Sequence, residues 1–223
     1  MKYLLLALGL LGTGQLAHGQ RRPKVFMDSV GAPTTYERYW GIVLDGRYQS
    51  ARDKATNTYR LAPLPAAEFA QAKAATAKRI LVAKKLGQPL PAFRVTDYRG
   101  RVFDTARLRG KVLVLNFWFV GCPPCEMEIA SLNRLHARYQ ADTTVVFLSL
   151  VRSKPAEVTQ FLASTPFSYP VAELTPALLA QLKPSAYPTN LVIDQQGHYA
   201  FESVGAGVGS TVLLAEAIAT ARR

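Results

Sequence analysis

Cys122-Pro123-Pro124-Cys125 holds both cysteines of the chain, and its flanks limit the possible folds more than any other feature. Before it runs Lys111-Val112-Leu113-Val114-Leu115-Asn116-Phe117-Trp118, an apolar stretch of strand length. After it come Ile129, Leu132 and Leu135 at helical spacing. A strand that turns into a helix through two cysteines is the geometry of a dithiol that passes between thiol and disulfide. The loop it would close is tiny, so the pair constrains the unfolded chain little and is there to react.

Cys122 stands where the helix begins, facing unpaired backbone N–H groups and the positive end of the helix dipole. That position lowers a thiol pKa and makes Cys122 the expected nucleophile; Cys125, one turn on, is placed to resolve a mixed disulfide. An inert pair or two ligands of a metal is the alternative. Zinc needs four ligands, there is no further Cys, and His136 and His198 lie far away in sequence. The dithiol is thus its own reactive group, with no metal or cofactor expected. Pro123 and Pro124 carry no N–H, so the first amide open to the Cys122 sulfur is that of Cys125. Glu126 and Glu128 add negative charge nearby. Both features disfavour a thiolate, which favours the disulfide and hence a reductant.

The rest of the chain reads in three parts. Residues 1–19 have Lys2, an apolar run too short to span a bilayer and a small-x-small end at Ala17-His18-Gly19, the pattern of a secretory signal peptide. Residues 20–86 are an extension of unknown role. In it Val43 to Tyr48 reads as a hairpin around Asp45-Gly46, and Ala66 to Leu86 as one helix ended by Gly87, Pro89 and Pro91. From residue 87 to 223, strands alternate with helices. Segments 93–97 and 101–104 form a hairpin about Tyr98-Arg99-Gly100, and strand 111–118 leads into helix 123–140. Next come strand 143–150, helix 155–163, an extended piece 167–171 and helix 176–182. Strands 189–194 and 198–204 close the sheet as a second hairpin, before a last helix over 210–223. The expected class is α/β: a mixed sheet flanked by helices, with an N-terminal hairpin and a central insertion. Gly205-Ala206-Gly207-Val208-Gly209 has the look of a dinucleotide fingerprint, but no βαβ unit follows it, so it reads as a loop. A net charge of +12 raises nucleic acid or anionic surfaces as partners; the Lys and Arg residues are scattered rather than in blocks, so no nucleic-acid binding is expected.

Leu115-Asn116-Phe117-Trp118, the C-x-x-C with its helix, Ala186-Tyr187-Pro188-Thr189 and the closing hairpin resemble the thioredoxin fold. The approach from Arg94 to Lys111 and the insertion at 151–183 make residues 88–223 most similar to the exported TlpA/ResA-type thiol-disulfide oxidoreductases. The resemblance implies a location in the periplasm or envelope of a bacterium. It also implies protein thiols and disulfides as substrates, a membrane dithiol as electron donor, and a possible place in cytochrome c maturation. It makes Pro188 the cis-proline beside the cysteines, with Tyr187, Pro188 and Trp118 lining the approach of substrate; for Trp118, plain core packing is the alternative. In the family a Glu at the place of Glu128 is proposed to manage the proton of the second cysteine, whereas a solvent-facing Glu that favours the helix N-terminus is the other reading. Asn116 stands where cytoplasmic thioredoxins carry a buried Asp. The family is often basic just after the second Cys, where this chain has Glu126-Met127. Three other functions share the fold: an oxidant that introduces disulfides; a copper-delivery protein, whose usual C-x-x-x-C spacing this chain lacks; and a peroxidase, whose reactive Cys normally follows a Thr-x-x pattern where this chain has Phe119. Oligomeric state is not legible.

Overall fold

The computed structural model describes residues 23–223; the expected signal peptide lies outside the described residues. The dominant element is a five-stranded mixed sheet in the order β11-β10-β7-β8-β9. It comprises β7 (Val112–Trp118), β8 (Val145–Val151), β9 (Val171–Glu173), β10 (Thr189–Ile193) and β11 (Tyr199–Val204). β7, β8 and β9 run parallel, while β10 is antiparallel to both β7 and β11. Alternation along β7 explains the two core layers. Val112, Val114 and Trp118 join the layer under α3 (Pro123–Ala137) and α6 (Ser210–Ala221). Leu113, Leu115 and Phe117 join the layer that includes Leu178 and Leu182 of α5 (Pro176–Leu182). Every residue of β7 is buried, as a central strand covered on both faces requires. The insertion is α4 (Pro155–Ser164), β9 and α5, and the hairpin before β7 is β5 (Arg94–Thr96) with β6 (Val102–Asp104). The expected extended piece 167–171 forms a strand only from Val171 to Glu173, because its pairing with Ser149–Val151 of β8 begins there.

The N-terminal region departs most from expectation. It is a four-stranded sheet in the order β2-β1-β4-β3, made of β1 (Val25–Met27), β2 (Pro33–Thr34), β3 (Tyr48–Asp53) and β4 (Thr58–Pro63). The hairpin expected at Val43–Tyr48 is instead the end of a helix, α1 (Tyr36–Leu44). Thr35 caps that helix by accepting the Arg38 N–H, and Tyr39, Val43 and Leu44 make its buried side. The real hairpin is β3–β4. Its turn is held by Asp53, whose carboxylate accepts from the N–H groups of Ala55 and Thr56. Gly46, at φ +78°, does belong to a turn: a Cβ there would lie 1.9 Å from the Phe69 ring, so this turn admits only glycine.

The helix expected from Ala66 to Leu86 ends early, as α2 (Ala66–Ile80). Leu81 is extended and bridges Ser203, and the Val82 N–H donates to the Glu202 carbonyl. The Gly87 N–H likewise reaches the Tyr199 carbonyl. The edge strand β11 thus captures the chain that local propensity would have kept helical. The stretch read as a boundary is bonded along the sheet.

Candidate active site

The site begins where β7 runs out. Its last carbonyl, on Trp118, accepts the Arg152 N–H, and the Val120 N–H donates to Ser153 Oγ, which pins the loop between strand and helix. Gly121 takes φ +84°, and its N–H donates to Glu126 Oε1 at 2.8 Å. Glu126 therefore closes the helix entrance from one turn inside. Cys122 is the N-cap in extended backbone, with Pro123 and Pro124 as the first two helical residues. The two cysteines form a disulfide.

One expectation about this loop is corrected. The Cys125 N–H, which the sequence left for the Cys122 sulfur, donates to the Cys122 carbonyl, as does that of Glu126. With both prolines lacking a donor, the first turn of α3 therefore points no uncommitted backbone N–H at Cys122 through residue 126. Cys122 is also buried, at 3 % exposure. It shares its core layer with Trp118, and the rings of Phe119 and Tyr187 pack against that layer.

The Tyr187–Pro188 peptide bond is cis. Phe119 and Tyr187 meet edge to face at 5.4 Å between centroids, which joins the cysteine loop to the proline loop. The Tyr187 hydroxyl is buried without a partner among the described residues, so Tyr187 offers its ring rather than its oxygen. Trp118 is also not at the surface. It is 1 % exposed, packed against Phe161 and Phe167, and the sheet pleat that puts Phe117 on one core layer puts Trp118 on the other. His136, set aside on sequence, is half-buried against Phe147 and Tyr169, with Nδ1 3.0 Å from Ser168 Oγ.

Glu128 is the residue whose setting the sequence left open, and it is buried, not solvent-facing. It is 2 % exposed on the sheet side of α3, one turn beyond Cys125. Its Oε1 accepts from Asn116 Nδ2 at 2.9 Å and from Asn190 Nδ2 at 3.2 Å, and its Oε2 accepts from Asn190 Nδ2 at 3.2 Å. Burial raises the carboxyl from its ordinary 4.5 to about 8, against the pull of the Asn190 and Asn116 hydrogen bonds, which favour the ionised form. Desolvation outweighs the two amides. At neutral pH Glu128 therefore holds a proton beside a buried disulfide.

Sequence reasoning missed Asn190 and Ser149. Asn190 pairs in register with Asn116, Asn116 with Ser149, and Asn190 also with Ser203, so a buried polar row crosses four strands. Ser149 Oγ donates to Asn116 Oδ1 at 3.1 Å, and Asn116 Nδ2 to Asn190 Oδ1 at 3.0 Å. A signal existed: β7 and β8 each carry one uncharged polar side chain amid an apolar run, and β10 opens on two, Thr189 and Asn190.

Among the described residues no three His, Cys, Asp or Glu side chains gather as a metal site, and no helix is long and apolar enough to cross a membrane. A family model described as Redoxin matches residues 85–211. The thiol-disulfide oxidoreductase ResA of Bacillus anthracis is 27% identical over 122 residues, which are 54% of this chain and 70% of that protein. A thiol:disulfide interchange protein of the thioredoxin family from Chlorobium tepidum TLS superposes with a TM-score of 0.54 at 24% identity, over 64% of this chain and 99% of its own. StoA from Bacillus subtilis does so with a TM-score of 0.51 at 17% identity, over 57% and 96%. At those identities the two structures bear on the fold alone, and the fold they share with this chain is thioredoxin-like.

Proposed function

The chain belongs to the redoxin family and is a thiol-disulfide oxidoreductase akin to ResA, and from that premise we propose that it is an exported reductant of disulfides in bacterial envelope proteins, working through Cys122 and Cys125. The observation that carries this reading is the Glu128 carboxyl, buried one turn behind the disulfide and raised above its ordinary range by that burial.

The steps follow from the placement. In the reduced protein the Cys122 thiolate attacks a substrate disulfide; one substrate sulfur leaves as a thiolate and a mixed disulfide forms. In molecules whose Glu128 is ionised, the minor form at neutral pH, the Cys125 thiol gives its proton to the Glu128 carboxylate. The Cys125 thiolate then attacks Cys122 Sγ, the second substrate sulfur leaves as a thiolate, and the intramolecular disulfide closes. What remains is the disulfide seen here, with the proton left on Glu128, whose carboxyl burial raises to about 8. A donor dithiol, which we assign to the membrane, reverses the sequence by attacking Cys122. Cys125 then leaves as a thiolate and recovers the proton from Glu128. Disulfides formed between the thiols used in cytochrome c maturation are substrates of the right chemistry for such a reductant.

The direction of electron flow is supported by the helix entrance. Pro123 and Pro124 have no N–H, those of Cys125 and Glu126 are committed to the Cys122 carbonyl, and the Glu126 carboxylate closes the turn. A Cys122 thiolate gains little there, which favours the disulfide and makes the dithiol a donor of electrons. Titration of the Cys122–Cys125 couple against glutathione or dithiothreitol tests this. A thioredoxin-like couple lies near about −270 mV and a strongly oxidising one near about −120 mV, a gap of roughly 7 kcal/mol. A value near the second would make the protein an oxidant. Cys125→Ser should trap mixed disulfides through Cys122, and trapping through Cys125 in Cys122→Ser instead would reverse the roles.

A further inference from the structure

The two oxygens of Glu128 are not equivalent. Oε1 faces two amide donors, Asn116 Nδ2 and Asn190 Nδ2, while Oε2 faces Asn190 Nδ2 alone. Neither amide can turn over without loss. Reversing Asn116 would set its oxygen against Glu128 Oε1 and Asn190 Oδ1, and would turn its nitrogen to Ser149 in place of the oxygen that now accepts from Oγ. Reversing Asn190 would set its oxygen against both carboxyl oxygens and its NH2 against that of Asn116. The row is thus directional, and every donor in it points from Ser149 towards Glu128. A carboxyl proton has no place on an oxygen that already accepts two N–H groups, which leaves Oε2. A long side chain on a helix leans towards the N-terminus, over the turn that here carries Cys125.

We propose that Asn190 is a positioning residue of the redox site: together with Asn116 it confines the exchangeable proton of Glu128 to Oε2 and sets how tightly that carboxyl holds it. This rests on the reading of Glu128 as proton carrier for Cys125. Asn190 reaches the carboxyl from β10, two residues after Pro188, so the strand that begins at the proline loop also fixes the proton. Among the described residues no other element offers a competing partner: α3 brings Cys125, held in the disulfide, β7 and β8 bring Asn116 and Ser149, and the segment before β9 brings Tyr169. Burial, with the Glu128 charge adding to it, keeps the Tyr169 hydroxyl protonated well above its ordinary range.

The test reads the carboxyl directly, in the full-length oxidised protein labelled with 13C-glutamate. The Glu128 band in the infrared spectrum, identified by its loss in Glu128→Gln, is followed against pH. Asn190→Ala removes donors that favour the ionised form, so Glu128 should titrate about one pH unit or more higher than in the unaltered protein. Asn190→Leu, which fills the space without a hydrogen bond, should shift it in the same way. Ser149→Ala leaves both donors in place and loosens only their aim, so its shift should be upward and smaller; it also serves if the Asn190 variants do not fold. Thiol-exchange rates should follow the carboxyl, and in a Glu128→Gln background Asn190→Ala should leave the pH profile of exchange where it was. A Glu128 band that titrates at the same pH with and without Asn190 overturns the proposal, as does a profile moved by Asn190→Ala in the Glu128→Gln background. If the carboxyl moves and the exchange profile does not, Asn190 holds the proton as proposed, and it is Glu128 as proton carrier that falls.

Discussion

Helix α3 is gripped on two sides by different physics. Its sheet side buries a carboxyl among neutral amides: Glu128 against Asn116 and Asn190. Its other side meets α1 of the N-terminal region by close backbone approach. A Cβ at Gly41 would lie 3.0 Å from Ala130 Cβ and 3.1 Å from the Met127 carbonyl, and Ser131 Oγ donates to the Gly41 carbonyl at 2.9 Å. Arg134 adds a bond to the same carbonyl and an ion pair with Asp45. The sheet side stores an unfavourable desolvation that changes with pH, because it buries a carboxyl whose charged form is disfavoured there. The α1 side holds the helix by shape. The N-terminal region is therefore a second support for the redox helix, built without a titrating group at its closest contact.

The contrast can be broken most strongly at Glu128. Raising a carboxyl from 4.5 to about 8 on folding disfavours the charged folded form by roughly 5 kcal/mol, at about 1.4 kcal/mol per pH unit. The folded state binds the extra proton, so the stability it supports is full below about pH 4.5 and is lost as pH rises through about 8. Glu128→Gln has an amide in place of the protonated acid and should abolish that slope. Denaturant unfolding of the oxidised proteins should find the variant the more stable one at pH 9, with the gap closing towards pH 5. A parallel slope in both proteins would mean that Glu128 is not buried as described.

Gly41→Leu attacks the other side. The branched side chain must push α1 away from α3, a misfit of roughly 1–3 kcal/mol. The loss should be the same at pH 5 and pH 9, and limited proteolysis should cut residues 23–80 before the redoxin part. A pH-dependent loss would merge the two sides into one electrostatic unit.

Arg134→Ala should have a smaller effect, under about 1 kcal/mol and reduced by salt, because the Arg134–Asp45 pair is partly solvated. Melting temperatures at low and high salt measure it.

The smallest expected effect is at the helix entrance. Pro123→Ala restores an N–H in the first turn, and a thiolate that uses it should lower the Cys122 pKa by at most about one unit, since a hydrogen bond to a charged acceptor is worth roughly 1.5–3 kcal/mol before backbone relaxation. Thiolate absorbance against pH reports this in the reduced protein. An unchanged or raised pKa would separate the missing amide from the redox poise.

Much of the redoxin part was legible because its signals are local. The continuous apolar run of β7, the dithiol at the head of α3 and the proline at the start of α5 each declare an element within a dozen residues. In the N-terminal region the same reasoning failed. The aromatic residues of α1 favour strands on their own, and become helical where Thr35 caps them and a face is buried. The end of α2 was illegible for a related cause, since β11 rather than any local breaker stops it.

The amino-acid sequence by itself determined that two cysteines would stand at a strand-to-helix turn with Cys122 at the head of the helix, because periodicity and chain geometry act over a few residues. The cis bond at Pro188 was expected only from the resemblance to a known family. Only the tertiary structure decided whether Glu128 would be a surface charge or a buried proton store. That depends on Asn116 meeting Ser149 across 33 residues of chain and Asn190 across 74, a register that the packing of the whole sheet sets and no local pattern encodes.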